Sequence, residues 1–223
     1  MNGTLTILAS TSLTEVFGTM AHNFSTTYPA VRVDVAFAPD TEIGRRIAAG
    51  AVPDLVAVEG SGPLAALGST SPPLHFARGQ LVLAVRADNP KALHGLSDLN
   101  RPDVRLALCV QAEPCGAVAA SVLDAAHISV PAGATTVSDV REALDHVTDG
   151  SADAALVYRS DARLAGDVVA TLELPESSAA MADFVAVVPA RAPNPQAANA
   201  FLAYLGSPDT LDGLTRAGFR PPD

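Results

Sequence analysis

The chain has 223 residues, 48% of them hydrophobic, enough to bury the core of one large domain or two small ones, which argues against disorder. A formal net charge of −10, with its Lys and Arg scattered and gathered into no stripe, argues against a nucleic-acid partner, and 4% aromatic content without Trp argues against stacking platforms for bases or sugars. A small anion stays compatible, because surface charges are largely screened beyond roughly 8 Å while inward N–H groups act at contact distance.

In chain order, short apolar runs alternate with helical patterns. Leu5–Ala9 reads as a strand feeding a helix over about 13–28; Val31–Phe37 feeds one near 42–49; Leu55–Val58 feeds another near 63–67. This is the βαβαβ rhythm of a parallel sheet, whose ligands sit beyond the carboxyl ends of the strands. A second series runs through Leu81–Val85, 105–109, a helix over 117–126, a helix near 140–147 and the strand-like Ala154–Tyr158. Phe184–Val188 is again strand-like, and 195–205 and 209–217 read as amphipathic helices that return to the first lobe. The expectation is an α/β chain of two lobes, residues 1–80 plus 184–223 and residues 81–183, joined by two strand crossings with a cleft and a hinge between them; no repeat is apparent.

Four turns run straight into helix patterns: Ala9–Glu15, Ala38–Ile43, Glu113–Gly116 and Ser138–Arg141. Helix starts leave N–H groups without partners and carry partial positive charge, so several aimed at one point would receive a dianion without a cation. Each has a local explanation as well. Ser12-Leu13-Thr14-Glu15 matches a capping box, and Asp40 after Pro39 reads as an N-cap. Tyr158 reads as a half-buried core ring with its hydroxyl at the surface, and Val140 as an ordinary helix residue. Gly60-Ser61-Gly62 reads as a loop.

Catalytic and metal sets are poorly represented. The five His lie in unrelated contexts, with no His-Glu-x-x-His, Cys-x-x-Cys or Walker loop. Neither a cofactor nor a cation site is expected, and no enzyme activity. Cys109 and Cys115, six apart around Pro114, admit a disulfide and also two free thiols; the spacing favours the bridge, which would imply an oxidising compartment. Met1-Asn2-Gly3 leads directly into a strand with no basic or apolar leader, a start that fits both a cytosolic chain and one trimmed of its export signal.

With these segments in hand, the chain resembles the molybdate-binding proteins, the extracytoplasmic solute receptors of molybdate ABC importers. The resemblance spans nearly the whole length, and its most specific stretches are Ala9–Glu15, 38–47 with Arg45 and Arg46, 50–58, 105–116, 139–147, Leu156–Asp161 and 200–205. It implies a two-lobed type II periplasmic-binding fold and a tetrahedral oxyanion, molybdate or tungstate, held by hydroxyls and backbone N–H groups. Ser12 would donate through its side chain, Cys115 and Val140 through backbone N–H groups, and Tyr158 through its phenol. Asp40 falls where the family commonly has a serine. It would then be an acceptor suited to a protonated oxyanion, which points to phosphate or sulfate, or Thr41 would replace the missing hydroxyl. The resemblance also implies a membrane permease as partner, a monomer, and an extracytoplasmic location. The effector domain of a transcription regulator shares the architecture but would need a DNA-binding helix-turn-helix, which is not present in the sequence.

Overall fold

The computed structural model describes residues 1–67 and 71–222. In chain order the elements are β1 (Gly3–Ser10), α1 (Thr14–Thr27), β2 (Val31–Ala38), α2 (Asp40–Ala48), β3 (Leu55–Glu59), β4 (Leu74–Gly79), β5 (Leu81–Arg86), β6 (Leu106–Cys109), α3 (Pro114–Ala125), β7 (Thr135–Val137), α4 (Val140–Thr148), β8 (Ala154–Tyr158), α5 (Arg159–Ala165), β9 (Val169–Glu173), β10 (Ala182–Val187), α6 (Pro195–Leu205) and α7 (Pro208–Ala217). The helix expected near 63–67 is a 3-10 turn over Gly62–Ala66. Strands β4, β7 and β9 and helix α5 have no counterpart in the sequence reading.

The chain divides into two compact units. Unit 1 comprises Met1–Arg78, Asp183–Arg216 and the residues from Arg220 on; unit 2 comprises Gly79–Ala182 and Ala217–Phe219.

In unit 1 the sheet order is β2-β1-β3-β10-β4. Strands β2, β1 and β3 are parallel and β10 runs antiparallel to β3, so the turns leaving β1, β2 and β3 all emerge at one edge. The sheet is buried on both faces. On one, Phe17 and Phe24 of α1 meet Phe76 of β4 and Phe201 of α6, with ring centroids 5.1–6.0 Å apart. On the other, Ile43 and Ile47 of α2 cover Val56, Val58, Val185 and Val187. All five residues of β3 are buried, which is why it reads as an unbroken apolar run rather than an alternating one.

Unit 2 repeats this plan: the order is β7-β6-β8-β5-β9, with β6, β7 and β8 parallel and β5 antiparallel to β8. A shared device ties each central strand to its neighbour. Asp54, just before β3, accepts from Thr6 N and Thr6 Oγ1, both at 2.8 Å. Asp153, just before β8, accepts from Arg105 N and Nη2, both at 2.9 Å. Both partners lie 48 residues upstream, and glycines at positive φ, Gly50 (97°) and Gly150 (80°), end the preceding helices. The repeat is one of structure more than of residues, so it is hidden in the sequence.

Candidate functional site

In unit 1 the turn after β1 is a 3-10 turn, Thr11–Leu13, and α1 begins only at Thr14. Ser12 is therefore not the helix N-cap, and no side chain caps either segment; the expected capping box is not formed. Thr14 Oγ1 donates instead to Thr11 O at 2.7 Å. The Ser12 side chain, 8% exposed, makes no hydrogen bond to a described residue. A hydroxyl left over beside a strand end can donate to a ligand.

Asp40 is not an N-cap either. Pro39 occupies that position, and Asp40 is the first residue of α2. Its buried carboxylate turns away from its own helix: Oδ2 accepts from Ser10 Oγ at 2.7 Å and Oδ1 from Glu59 N at 2.8 Å. One carboxylate thus binds the ends of β1 and β3 to the start of α2. Thr41 follows on the exposed side of the same turn. Arg45 and Arg46 point to neither: both pair with Glu42, at 2.7 and 2.8 Å, and hold its carboxyl down at about 2.

In unit 2 three turns likewise follow parallel strands. Cys109 at the end of β6 is bonded to Cys115 in α3 through a disulfide, with Cα atoms 5.9 Å apart. Pro114 opens α3 and has no N–H, while the N–H groups of Gly116 and Ala117 both go to Glu113 O, at 3.0 and 3.1 Å. That leaves the Cys115 N–H as the first donor of the helix without an acceptor among the described residues. Gly116 is required by close approach, since a Cβ there would lie 2.0 Å from the Val110 carbonyl oxygen.

At α4 the cap is made as the sequence suggests. Asp139 accepts from Arg141 N at 2.9 Å and Glu142 N at 3.0 Å, and its carbonyl takes the Ala143 N–H. The Val140 N–H is passed over and has no acceptor among the described residues. Tyr158 ends β8 and leads straight into α5. At 1% exposure it is wholly buried rather than half-buried.

The sequence profile of the bacterial extracellular solute-binding proteins matches residues 5–220. The chain belongs to that family. It is accordingly a binder of solutes and not an enzyme. The solute-binding protein is 28% identical to the molybdate-binding protein ModA of Mycobacterium bovis over 224 residues, which cover 98% of this chain and 85% of that one. Among solved structures it is similar to the periplasmic molybdate-binding protein of Azotobacter vinelandii (TM-score 0.84, 16% identity, 98% of this chain and 100% of the other). It is also similar to the sulfate-binding protein SubI of Mycobacterium tuberculosis (TM-score 0.79, 19% identity, 100% and 88%). At these identities the structures speak for the fold alone, the two-lobed periplasmic-binding architecture.

Three roles escape sequence reading, although Ser10 stands out there as one of three hydroxyls, Ser10, Thr11 and Ser12, that crowd the first turn. Ser10 and Glu59 matter through Asp40, a partnership across 30 and 19 positions that no local pattern announces. Asp161, the third residue of α5, is a buried carboxyl within the Leu156–Asp161 stretch; burial pushes it up to about 7, against the opposing pull of Arg141.

Proposed function

We propose that this solute-binding protein takes up molybdate, with tungstate as its near equivalent, and delivers it to the membrane permease of an ABC importer outside the cytoplasm, acting as a monomer. The donors are the Ser12 and Thr41 hydroxyls of unit 1 and the Cys115 N–H, Val140 N–H and Tyr158 phenol of unit 2. The observation that carries the reading is the pair of unclaimed helix-start N–H groups at Cys115 and Val140, each left over because a neighbouring group takes or removes the others. Such donors suit an anion that brings no proton of its own, and they act without a cation. The molybdate-binding name of the 28% identical relative agrees with this.

Asp40 supports the ligand from behind. With its carboxylate oxygens accepting from Ser10 and Glu59, it braces the unit 1 turn, and this favours a structural role over that of an acceptor for phosphate or sulfate. Calorimetric titration with molybdate, tungstate, sulfate and phosphate tests the assignment. Stoichiometric, tight binding of the first two alone supports it; a preference for sulfate or phosphate overturns it.

A further inference from the structure

Asp161 has no task in the fold or in the donor set above. It is 5% exposed, and its Oδ2 is buried without a hydrogen-bond partner among the described residues, as is the adjacent Ser160 Oγ; the Ser160 hydroxyl and the Asp161 N–H lie near enough to favour the carboxylate, and burial outweighs both. A buried carboxylate oxygen in that state is strongly disfavoured unless a ligand or a proton satisfies it. Its position ties it to both donor elements of unit 2. The chain passes from Tyr158 into α5 without a loop, so Asp161 stands one turn from the phenol-bearing residue. Helices α4 and α5 lie against each other, and the charges that reach Asp161 are Arg141 and Asp139, the two residues flanking Val140.

The other elements around α5 bring little to compete. On β9, Glu173 is held by Arg159, with Nε to Oε1 at 3.0 Å. Strand β5 offers the apolar Leu81–Val85, and its terminal Arg86 is paired with Asp88 at 2.9 Å. Strand β8 contributes Tyr158, the turn after α5 contributes Asp167, and α5 itself carries Arg163 in its last turn. Burial holds the Asp161 carboxyl at about 7, so near neutrality it is poised between its two forms.

Building on the proposed donor set, we propose that Asp161 is a further residue of the oxyanion site, protonated when the site is loaded, so that a dianion and one proton are taken up together. An arriving negative charge stabilises the neutral form, and the proton comes from the solvent. The neutral acid then offers a donor where the carboxylate offered only repulsion. By linkage, protonation strengthens oxyanion binding by the same factor as the oxyanion strengthens protonation.

The test is calorimetric titration of the wild-type protein and of Asp161→Asn with molybdate and with sulfate. It is run at about pH 6 and about pH 8 in two buffers of different ionisation enthalpy. The wild type is expected to bind about tenfold more weakly at the higher pH, with a heat that shifts between buffers in the sense of proton uptake. Both dependences are expected to vanish in Asp161→Asn, which binds with a pH-independent affinity. An infrared difference spectrum of the wild type on adding molybdate gives a check free of mutation: a protonated carboxyl band should grow. Binding whose heat ignores the buffer, a pH dependence that survives in Asp161→Asn, or no such band overturns the coupling and leaves the receptor reading standing. Failure of both anions to bind the wild type at either pH refutes the receptor reading and the coupling with it.

Discussion

Asp40 offers the sharpest test of how unit 1 is built. Replacing it with Ala removes the acceptor for two buried donors, the Ser10 hydroxyl and the Glu59 N–H, at 0% and 3% residue exposure. Each hydrogen bond to a charged group is worth roughly 1.5–3 kcal/mol when its partner is left buried and unpaired. The pair therefore places the cost at roughly 3–6 kcal/mol, a large share of the ~5–15 kcal/mol that holds an ordinary domain together. Asp40→Asn is the informative control. Its amide oxygen can keep the Glu59 N–H while the Ser10 hydroxyl turns to accept from the amide nitrogen, so only the charge is lost and the cost falls to roughly 1–2 kcal/mol. Asp40→Ser is too short to hold both partners, so it should fall between the two and bring no gain in molybdate affinity, even though serine is the residue the resemblance would place there. Urea unfolding of the three variants measures the order, with amide exchange at Glu59 as the local readout. An Ala variant within about 1 kcal/mol of wild type, or an Asn variant as damaged as the Ala one, would refute the brace.

Two glycines should respond with opposite signs. Gly116→Ala pushes a Cβ to 2.0 Å from the Val110 carbonyl and should cost roughly 3 kcal/mol along with molybdate affinity, whereas Gly18→Ala on the open face of α1, with nothing within 4 Å, should stabilise by about 0.5–1 kcal/mol; equal effects in thermal unfolding would contradict the packing assignment. Replacing Cys109 and Cys115 with Ser should lower stability by about 2 kcal/mol, the loop entropy of so small a ring, and weaken molybdate binding through the Cys115 N–H; unchanged affinity in calorimetry would detach the disulfide from the site. Asp161 makes ligand-free stability depend on pH. Its folded value, about 7, is raised above the ordinary aspartate value of 3.8, so the stabilising preference for the protonated form is complete below that lower value and is lost as pH rises towards 7. Between about pH 5 and about pH 8 the wild type should lose roughly 3 kcal/mol that Asp161→Asn retains, and parallel urea profiles for the two proteins would exclude it.

What could be read from the sequence follows burial. Strands β3, β5 and β8 are buried along nearly their whole length and stand out as apolar runs, while the amphipathic α4 and α7 announce themselves by period. The elements that went unread are those that bury little or are defined by a distant partner. Strand β7 has three residues, two of them exposed, and exists by pairing with β6; β9 alternates at a sheet edge against β5; α5 is seven residues long. Nothing within those segments distinguishes them from turns.

The site shows the same limit more finely, at the scale of one residue. The turns into α2 and α4 occupy equivalent places in the two units, and each contains an aspartate that reads as an N-cap. Asp139 stands at the cap itself, with extended backbone, and its side chain meets the second and third N–H groups of α4, which is what frees the Val140 N–H. Asp40 stands one position later, inside the helix, because Pro39 takes the cap. A first-turn side chain does not reach its own helix's free N–H groups in that way, and Asp40, buried at the strand ends, satisfies Ser10 and Glu59 instead. Local patterns fix a helix start only to within a residue or two, and here that residue separates a carboxylate that orders its own helix from one that fastens three elements together. The same step bears on the chemistry: the aspartate read as a ligand acceptor in unit 1 accepts from Ser10 and Glu59, whereas among the described residues the buried carboxyl oxygen without a hydrogen-bond partner belongs to Asp161 in unit 2.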